Sequence, residues 1–277
     1  MSIVISTNHE IQELEEKAKE IRRWIIKMLA EAGSGHPGGS LSCADIITAL
    51  YFKIMNHRPD NPKWADRDRF VLSKGHSCPT LYATLALCGY FPISELMQLR
   101  KIDSFLQGHT DMLTTPGVEI SAGSLGQGLS VAGGMALAAR LNNKKFTIYV
   151  LLGDGEIQEG QIWEAAMACA HYNLNNLCAF VDYNELQIDG PVAEVMGIEP
   201  IVDKFKAFGW YTIEIDGHNM KEIIQATNEA KNIFDKPTMI VAHTIKGKAV
   251  SFMEGKVGYH GVAPTKEEEK KALLELE

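Results

Sequence analysis

The sequence predicts an α/β domain built on a doubly wound, mostly parallel sheet flanked by helices, and three observations carry that prediction. The run Phe146-Thr-Ile-Tyr-Val-Leu-Leu152 is apolar, rich in β-branched and aromatic residues, and bounded by Gly153; such runs suit strands buried on both faces. Leu177-Cys-Ala-Phe-Val181 repeats the pattern. Between the two, residues 161–171 read as a helix, which supplies the crossover that parallel neighbours need. Two further runs, Trp210-Tyr-Thr-Ile-Glu-Ile215 and Thr238-Met-Ile-Val-Ala242, flank a helix expected over 220–233.

Ahead of this core, Ile11, Leu14, Ala18, Ile21, Ile25 and Met28 recur at helical spacing with charges between them, giving an amphipathic helix over 10–32. Gly33-Ser-Gly-His36-Pro-Gly-Gly39 reads as the loop that stops it, and 41–52 as a second helix capped by Ser40 or Ser42. The short apolar run Phe70-Val-Leu72 ends at Ser73-Lys-Gly-His76, and helices are expected over 79–87 and 129–141 around a loop-rich stretch at 107–128. No repeat or linker interrupts the chain, so 1–277 is read as one domain. Its last segment, 265–277, is a charged helix whose expected role is a solvated face.

Charge and cysteine usage exclude several classes. With 27 basic against 35 acidic side chains the net charge is -8, the wrong sign for a nucleic-acid partner. The five cysteines form no C-x-x-C pair, which points to plain thiols in a reducing cytoplasm. No signal-type start and no apolar stretch near the ~18 residues of a membrane helix is found. A cytoplasmic protein without a membrane partner is expected.

The candidate site lies where ligands of open α/β sheets bind, beyond the carboxyl ends of the strands. Gly153-Asp154-Gly155 follows the first strong strand, and Asn184 stands at the same end of the next. Magnesium takes six hard oxygen ligands. The Asp154 carboxylate, the Asn184 amide oxygen and the Leu186 carbonyl would leave room for two phosphate oxygens and a water. Gly153 and Gly155 would let the backbone approach phosphates without a β-carbon in the way. Alone, Gly-Asp-Gly is equally a strand-to-helix turn with an Asp cap; the matching position of Asn184 makes it specific.

Of nine histidines, His9, His57 and His171 read as surface or hydrogen-bonded imidazoles, and His218 and His243 as structural residues of a turn and a strand end. His36, His76, His109 and His260 each occupy a Gly- or Pro-flanked loop, where backbone and substrate come close. An imidazole pKa near 6.5 suits proton transfer at neutral pH.

The segment Gly153-Asp-Gly-Glu-Ile-Gln-Glu159-Gly-Gln-Ile-Trp-Glu164, continuing to Asp182-Tyr-Asn184-Glu-Leu-Gln-Ile-Asp-Gly190, resembles the thiamine diphosphate signature of transketolases. Ser34-Gly-His36-Pro-Gly, Phe70-Val-Leu-Ser-Lys-Gly-His76, Gly108-His109, Gly123-Ser-Leu-Gly-Gln-Gly128 and His260-Gly261 follow in that family's order. The resemblance implies thiamine diphosphate and Mg2+, with Ca2+ or Mn2+ as substitutes, and transfer of a two-carbon ketol unit from a ketose phosphate to an aldose phosphate. It implies that His36 and His260 exchange protons with the donor sugar, that His109 holds its terminal hydroxyl, and that His76 contacts the cofactor near its diphosphate. His260 counts among the cofactor contacts as well. Gly123, Ser124 and Leu125 would meet the aminopyrimidine through their backbone, although the family more often has proline where Ser124 stands. Glu159 and Glu164 read as helix-start carboxylates; the resemblance implies instead a subunit interface and, for Glu159, a cofactor contact.

Only the family's N-terminal part is matched, and the chain ends 16 residues after Gly261. The pyrimidine-binding domain is therefore expected on a separately encoded C-terminal subunit, in an α2β2 assembly. The resemblance also implies that some relatives of this split type act on branched or modified sugars. A 2-oxoacid dehydrogenase α-like or deoxyxylulose-phosphate synthase-like subunit, and a non-catalytic subunit keeping the fold, are the alternatives.

Overall fold

The computed structural model describes residues 7–277, so the first six residues of the expected 1–277 domain lie outside the described residues. The amino-terminal part holds α1 (Asn8–Ala32), α2 (Pro37–Ser42), α3 (Ala44–Ala49), β1 (Arg69–Leu72) and α4 (Cys78–Cys88). Then come α5 (Gln127–Leu141), β2 (Ile148–Gly153), α6 (Gly160–His171) and β3 (Leu177–Tyr183). A small hairpin, β4 (Leu186–Gln187) and β5 (Gly190–Pro191), leads into α7 (Val192–Val195) and α8 (Ile201–Ala207). The chain closes with β6 (Tyr211–Asp216), α9 (Met220–Ala230), β7 (Thr238–His243) and α10 (Lys266–Glu275).

The main sheet has the order β1-β2-β3-β7-β6, and every neighbouring pair is parallel. Alternate residues of β2 and β3 feed two separate cores, as the period of two along a strand requires. Tyr149, Leu151, Cys178 and Phe180 pack with α1, α3, α4 and α9, whereas Val150, Leu152, Ala179 and Val181 pack with α5, α6 and α8. The sheet is covered on both faces, as the continuous apolar runs predicted.

α1 is set at both ends by its sequence. Thr7 and Glu10 form a capping box, the Thr7 hydroxyl accepting from the Glu10 amide at 3.2 Å and the Glu10 carboxylate from the Thr7 amide at 2.8 Å. Gly33, at φ 65°, ends the helix. Ile21, Ile25, Ile26, Met28 and Leu29 are fully buried, each stabilising the fold by roughly 1.5–3 kcal/mol. Within this core Arg22 forks onto Asp45 at 3.0 and 2.6 Å. His218 joins the same carboxylate through Nδ1 at 2.8 Å while its Nε2 accepts the Ile245 amide at 2.8 Å, so the proton sits on Nδ1. His218 is a structural clamp, as its turn position suggested, and His243 pairs with Glu214 at its strand end.

Four local expectations change. The 33–39 loop is shorter than expected, because Pro37 opens α2, its fixed φ suiting the first helical position. Ser40 and Ser42 cap nothing: the Ser40 hydroxyl donates to the His36 carbonyl and Ser42 to the Gly39 carbonyl and Asp182. The helix expected over 41–52 breaks at Cys43 and ends in a π turn over Leu50–Ile54. The terminal helix is only partly a solvated face, since Ala272 and Leu276 are buried and Arg23 of α1 donates to the Leu276 carbonyl at 2.9 Å. All five cysteines are unpaired. No helix among the described residues is long and apolar enough to cross a membrane.

Candidate functional site

The parallel register that sets Gly153 beside Asp182 brings the carboxyl ends of β2 and β3 together. Asp154, 2% exposed, fastens those ends. Its Oδ2 accepts the backbone amides of Asn184 (2.9 Å) and Glu185 (2.5 Å), and its Oδ1 that of Gly155 (2.7 Å). A carboxylate offers about four lone-pair sites, so three amides leave one free. Directly beneath, fully buried Asp182 accepts from Lys74, Ser42 and Thr244, and the Lys74 ammonium also reaches the Gly39 carbonyl at 3.0 Å. Burial alone would raise Asp182, but the Lys74 ammonium and the two hydroxyls outweigh it and hold its carboxyl below the usual range. Burial, reinforced by the charge of Asp182, pushes Asp154 up to about 6.

Glu156 fixes the glycine loop to this base. It accepts from the Ser73 hydroxyl and from the amides of Gly126 and Gly153, both at 3.0 Å. Gly126 has φ 87°, and a β-carbon there would stand 2.9 Å from Glu159 Cβ; the position admits only glycine. Gly75 is needed for close approach, since a β-carbon would fall 2.8 Å from the Ala122 backbone.

The outer end is a cluster of imidazoles. His36 lies 5.3 Å from His76, 5.9 Å from His109 and 5.6 Å from His260 between ring centroids, and His76 lies 5.3 Å from His260. Lys246, 2% exposed, donates to the Leu186 carbonyl and to His260 Nδ1, both at 2.9 Å. With Nδ1 accepting, the neutral ring carries its proton on Nε2. Burial and then the Lys246 charge bring His260 down to about 3; burial and then Arg100 bring His36 down to about 4. Burial likewise lowers His76 and His109. The expectation of imidazoles titrating near 6.5 is therefore corrected. These rings are neutral at pH 7 because they are desolvated and face lysine and arginine charges.

Both ends open into one cavity of about 490 Å3. It is lined by His36, His76, His109 and His260, by Gly123 and Leu125, by Gly153, Asp154, Gly155 and Glu159, and by Asn184 and Leu186. Ser124 is exposed and outside the lining, and Glu164 faces a different groove between α5 and α6. The sequence reading missed Lys74, Glu156 and Lys246. Lys74 and Glu156 stand inside the family's motifs, and their burial as charged residues is their only further signal. Lys246 follows β7 with no spacing to mark it.

The thiamine diphosphate-binding domain of transketolases matches residues 14–275. The chain belongs to the transketolase family. It is 49% identical to the 6-deoxy-6-sulfo-D-fructose transketolase subunit of Clostridium sp. (strain MSTE9), over 96% of each chain. Identity to an apulose-4-phosphate transketolase subunit of Phocaeicola vulgatus is 43%, covering 96% of this chain and 95% of that one. Against the crystal structure of Campylobacter jejuni transketolase the TM-score is 0.91 at 36% identity, with 96% of this chain covering 43% of that one. The chain is thus a thiamine diphosphate-binding domain of the transketolase family.

Proposed function

We propose that this chain is the N-terminal, diphosphate-binding subunit of a two-chain transketolase, working in the cytoplasm and moving a two-carbon ketol unit between sugars. One observation carries the reading. A single cavity joins a cation-ready base (Asp154, Asn184 and the Leu186 carbonyl) to four neutral histidines. The donor set fits a Mg2+ diphosphate: Asp154 keeps one lone pair, the Leu186 carbonyl keeps one beyond its bond to Lys246, and the Asn184 amide oxygen accepts only the Leu186 amide at 3.3 Å. Lys246 and the Gly155 backbone would meet the phosphates, and His76 would lie beside them. Gly123, Leu125 and the backbone of Ser124 would border the pyrimidine ring, and Glu159 would border it at the rim.

Bound cofactor supplies the electron-accepting thiazolium chemistry. The chain's own residues orient the donor and handle protons. His260, with its proton on Nε2, is poised to donate to the donor's carbonyl oxygen. His36, whose buried Nδ1 has no partner among the described residues, would exchange a proton with the reacting hydroxyl, and His109 would hold the terminal hydroxyl. A neutral ring can accept a proton on its free nitrogen and donate a hydrogen bond from the other.

Two features support a separate partner and an unusual sugar. The relatives named as subunits match over nearly their whole length, and their names specify a sulfonated and a branched sugar. We read the donor here as a ketose with a terminal anionic group, whose anion is held by a C-terminal subunit in an α2β2 assembly. The test is ketol transfer from 6-deoxy-6-sulfo-D-fructose, with fructose 6-phosphate as comparison, by the isolated chain and by the chain reconstituted with its partner, thiamine diphosphate and Mg2+. Transfer by the pair alone supports the reading; substantial transfer by the isolated chain sinks it.

A further inference from the structure

Arg100 belongs to none of the motifs that mark the site, yet two segments of the site converge on it. Its backbone takes the left-handed conformation, φ 62°, and its amide donates to the Leu106 carbonyl at 2.9 Å. That turn brings the exposed guanidinium between the two segments that carry His36 and His109. There Nη1 donates to the Ser34 hydroxyl at 3.2 Å, two residues before His36, and Nη2 donates to the Gly108 carbonyl at 3.4 Å, one residue before His109. Gly108 is held flat against the group: a β-carbon would sit 2.8 Å from Arg100 Cζ, Nε and Nη2. Both segments also lean on α4 and the turn before it, Ser77 donating to the Gly39 carbonyl and Tyr82 to the His109 carbonyl, while Ser40 donates to the His36 carbonyl.

We propose that Arg100 is a positioning residue for the donor sugar, its guanidinium tying the turn that carries His36 to the loop that carries His109. This rests on the ketol-transfer reading of the site. Both imidazoles would address one small substrate, so a slip of either loop misplaces a reacting contact; a displacement of about 1 Å can cost on the order of 10²-fold in rate. The same guanidinium sets the field. The charged and titratable groups around His36 are Arg100, His76, His109, Lys246 and His260, and those around His109 are Arg100 and His36. After burial, Arg100 has the largest effect in lowering both rings. It therefore adds to burial in lowering both rings while it holds them in register.

Two measurements on Arg100→Ala and Arg100→Lys test this. NMR titration of His36 and His109 in the isolated chain needs no catalysis; it should show both moving upward in Arg100→Ala and neither moving in Arg100→Lys. In the reconstituted pair, Arg100→Ala should lose about 10- to 100-fold in kcat/KM with its acid limb shifted to higher pH. Arg100→Lys should regain the wild-type acid limb but only part of the rate, because an ammonium cannot bridge as the planar fork does. Wild-type rates in Arg100→Ala, or a rate loss with both titrations unmoved, would overturn the proposal. A wild-type pair without ketol transfer would instead defeat the functional reading, while the NMR titrations would still decide the role of Arg100.

Discussion

The two ends of the cavity are built on opposite principles. At the base, Asp154, Asp182, Lys74 and Glu156 are all nearly inaccessible, and each makes several short polar contacts to strand ends or to the segments that leave them. At the outer end the histidines come from four separate loops, and His36 Nδ1 has no partner among the described residues. The base is a rigid anchor whose hydrogen bonds are nearly spent on the protein itself. The outer end keeps its hydrogen-bonding capacity for something else. Changes at the base should therefore damage folding and cofactor binding together, whereas changes to the outer histidines should damage turnover and leave cofactor binding nearly intact.

Four predictions probe that contrast, from the largest effect to the smallest. Asp154→Ala should abolish ketol transfer by the reconstituted pair and remove cofactor binding by calorimetry. It also strands buried amides, at about 1–3 kcal/mol for each left unpaired, so its Tm should fall. Wild-type Tm and affinity would refute the anchor. His260→Asn should lower kcat/KM by about 10²- to 10⁴-fold, the range for a lost general acid, with cofactor affinity within a few-fold of wild type. A collapse of affinity instead would put His260 with the base. Lys246→Met removes a charge-assisted contact of the kind typically contributing about 1.5–3 kcal/mol, so cofactor affinity should weaken roughly 10- to 100-fold by calorimetry. Unchanged binding would place Lys246 outside the phosphate site.

The fourth prediction concerns pH. His36 and His260 titrate at about 4 and about 3 in the fold, against 6.5 in an unperturbed chain. Between those values the unfolded state binds more protons, so stability present above pH 6.5 is lost as the pH falls toward 4. The Tm of the isolated chain should drop from pH 7 to pH 5. The double variant His36→Asn/His260→Asn should flatten that slope, and an unaltered slope would show that the outer rings do not couple to folding.

Much of this was legible in advance, and the exceptions have physical causes. The runs at Phe146–Leu152 and Leu177–Val181 announced a sheet buried on both faces, and the structure places their side chains alternately in two cores. Asp154 and Asn184 were found because parallel strands force both to emerge at one edge. Ser40 was misread as a cap because a serine at a helix start has two choices, and here its hydroxyl turns back to the carbonyl four residues earlier. The break at Cys43 and the π turn after it depend on packing that no local pattern encodes. Lys246 and Arg100 are single long side chains whose use depends on where distant loops arrive. The structure gathers the four loop histidines into one cluster, but their acidity was not legible, since burial and neighbouring charge exist only in the assembled fold.

The bonds of Glu156 also fix when the site can come into being. Its carboxylate accepts hydrogen bonds from the Ser73 hydroxyl, 83 residues earlier, and from the Gly126 amide, 30 residues earlier. A nascent chain extended only to the end of α5 already holds both donors and lacks their acceptor. Even with Glu156 made, the donors reach it only once β1 has paired with β2, a non-local contact that must first meet the entropic cost of closing a long loop. The glycine loop therefore takes shape late. A pocket that depends on that loop is complete only once the sheet has formed.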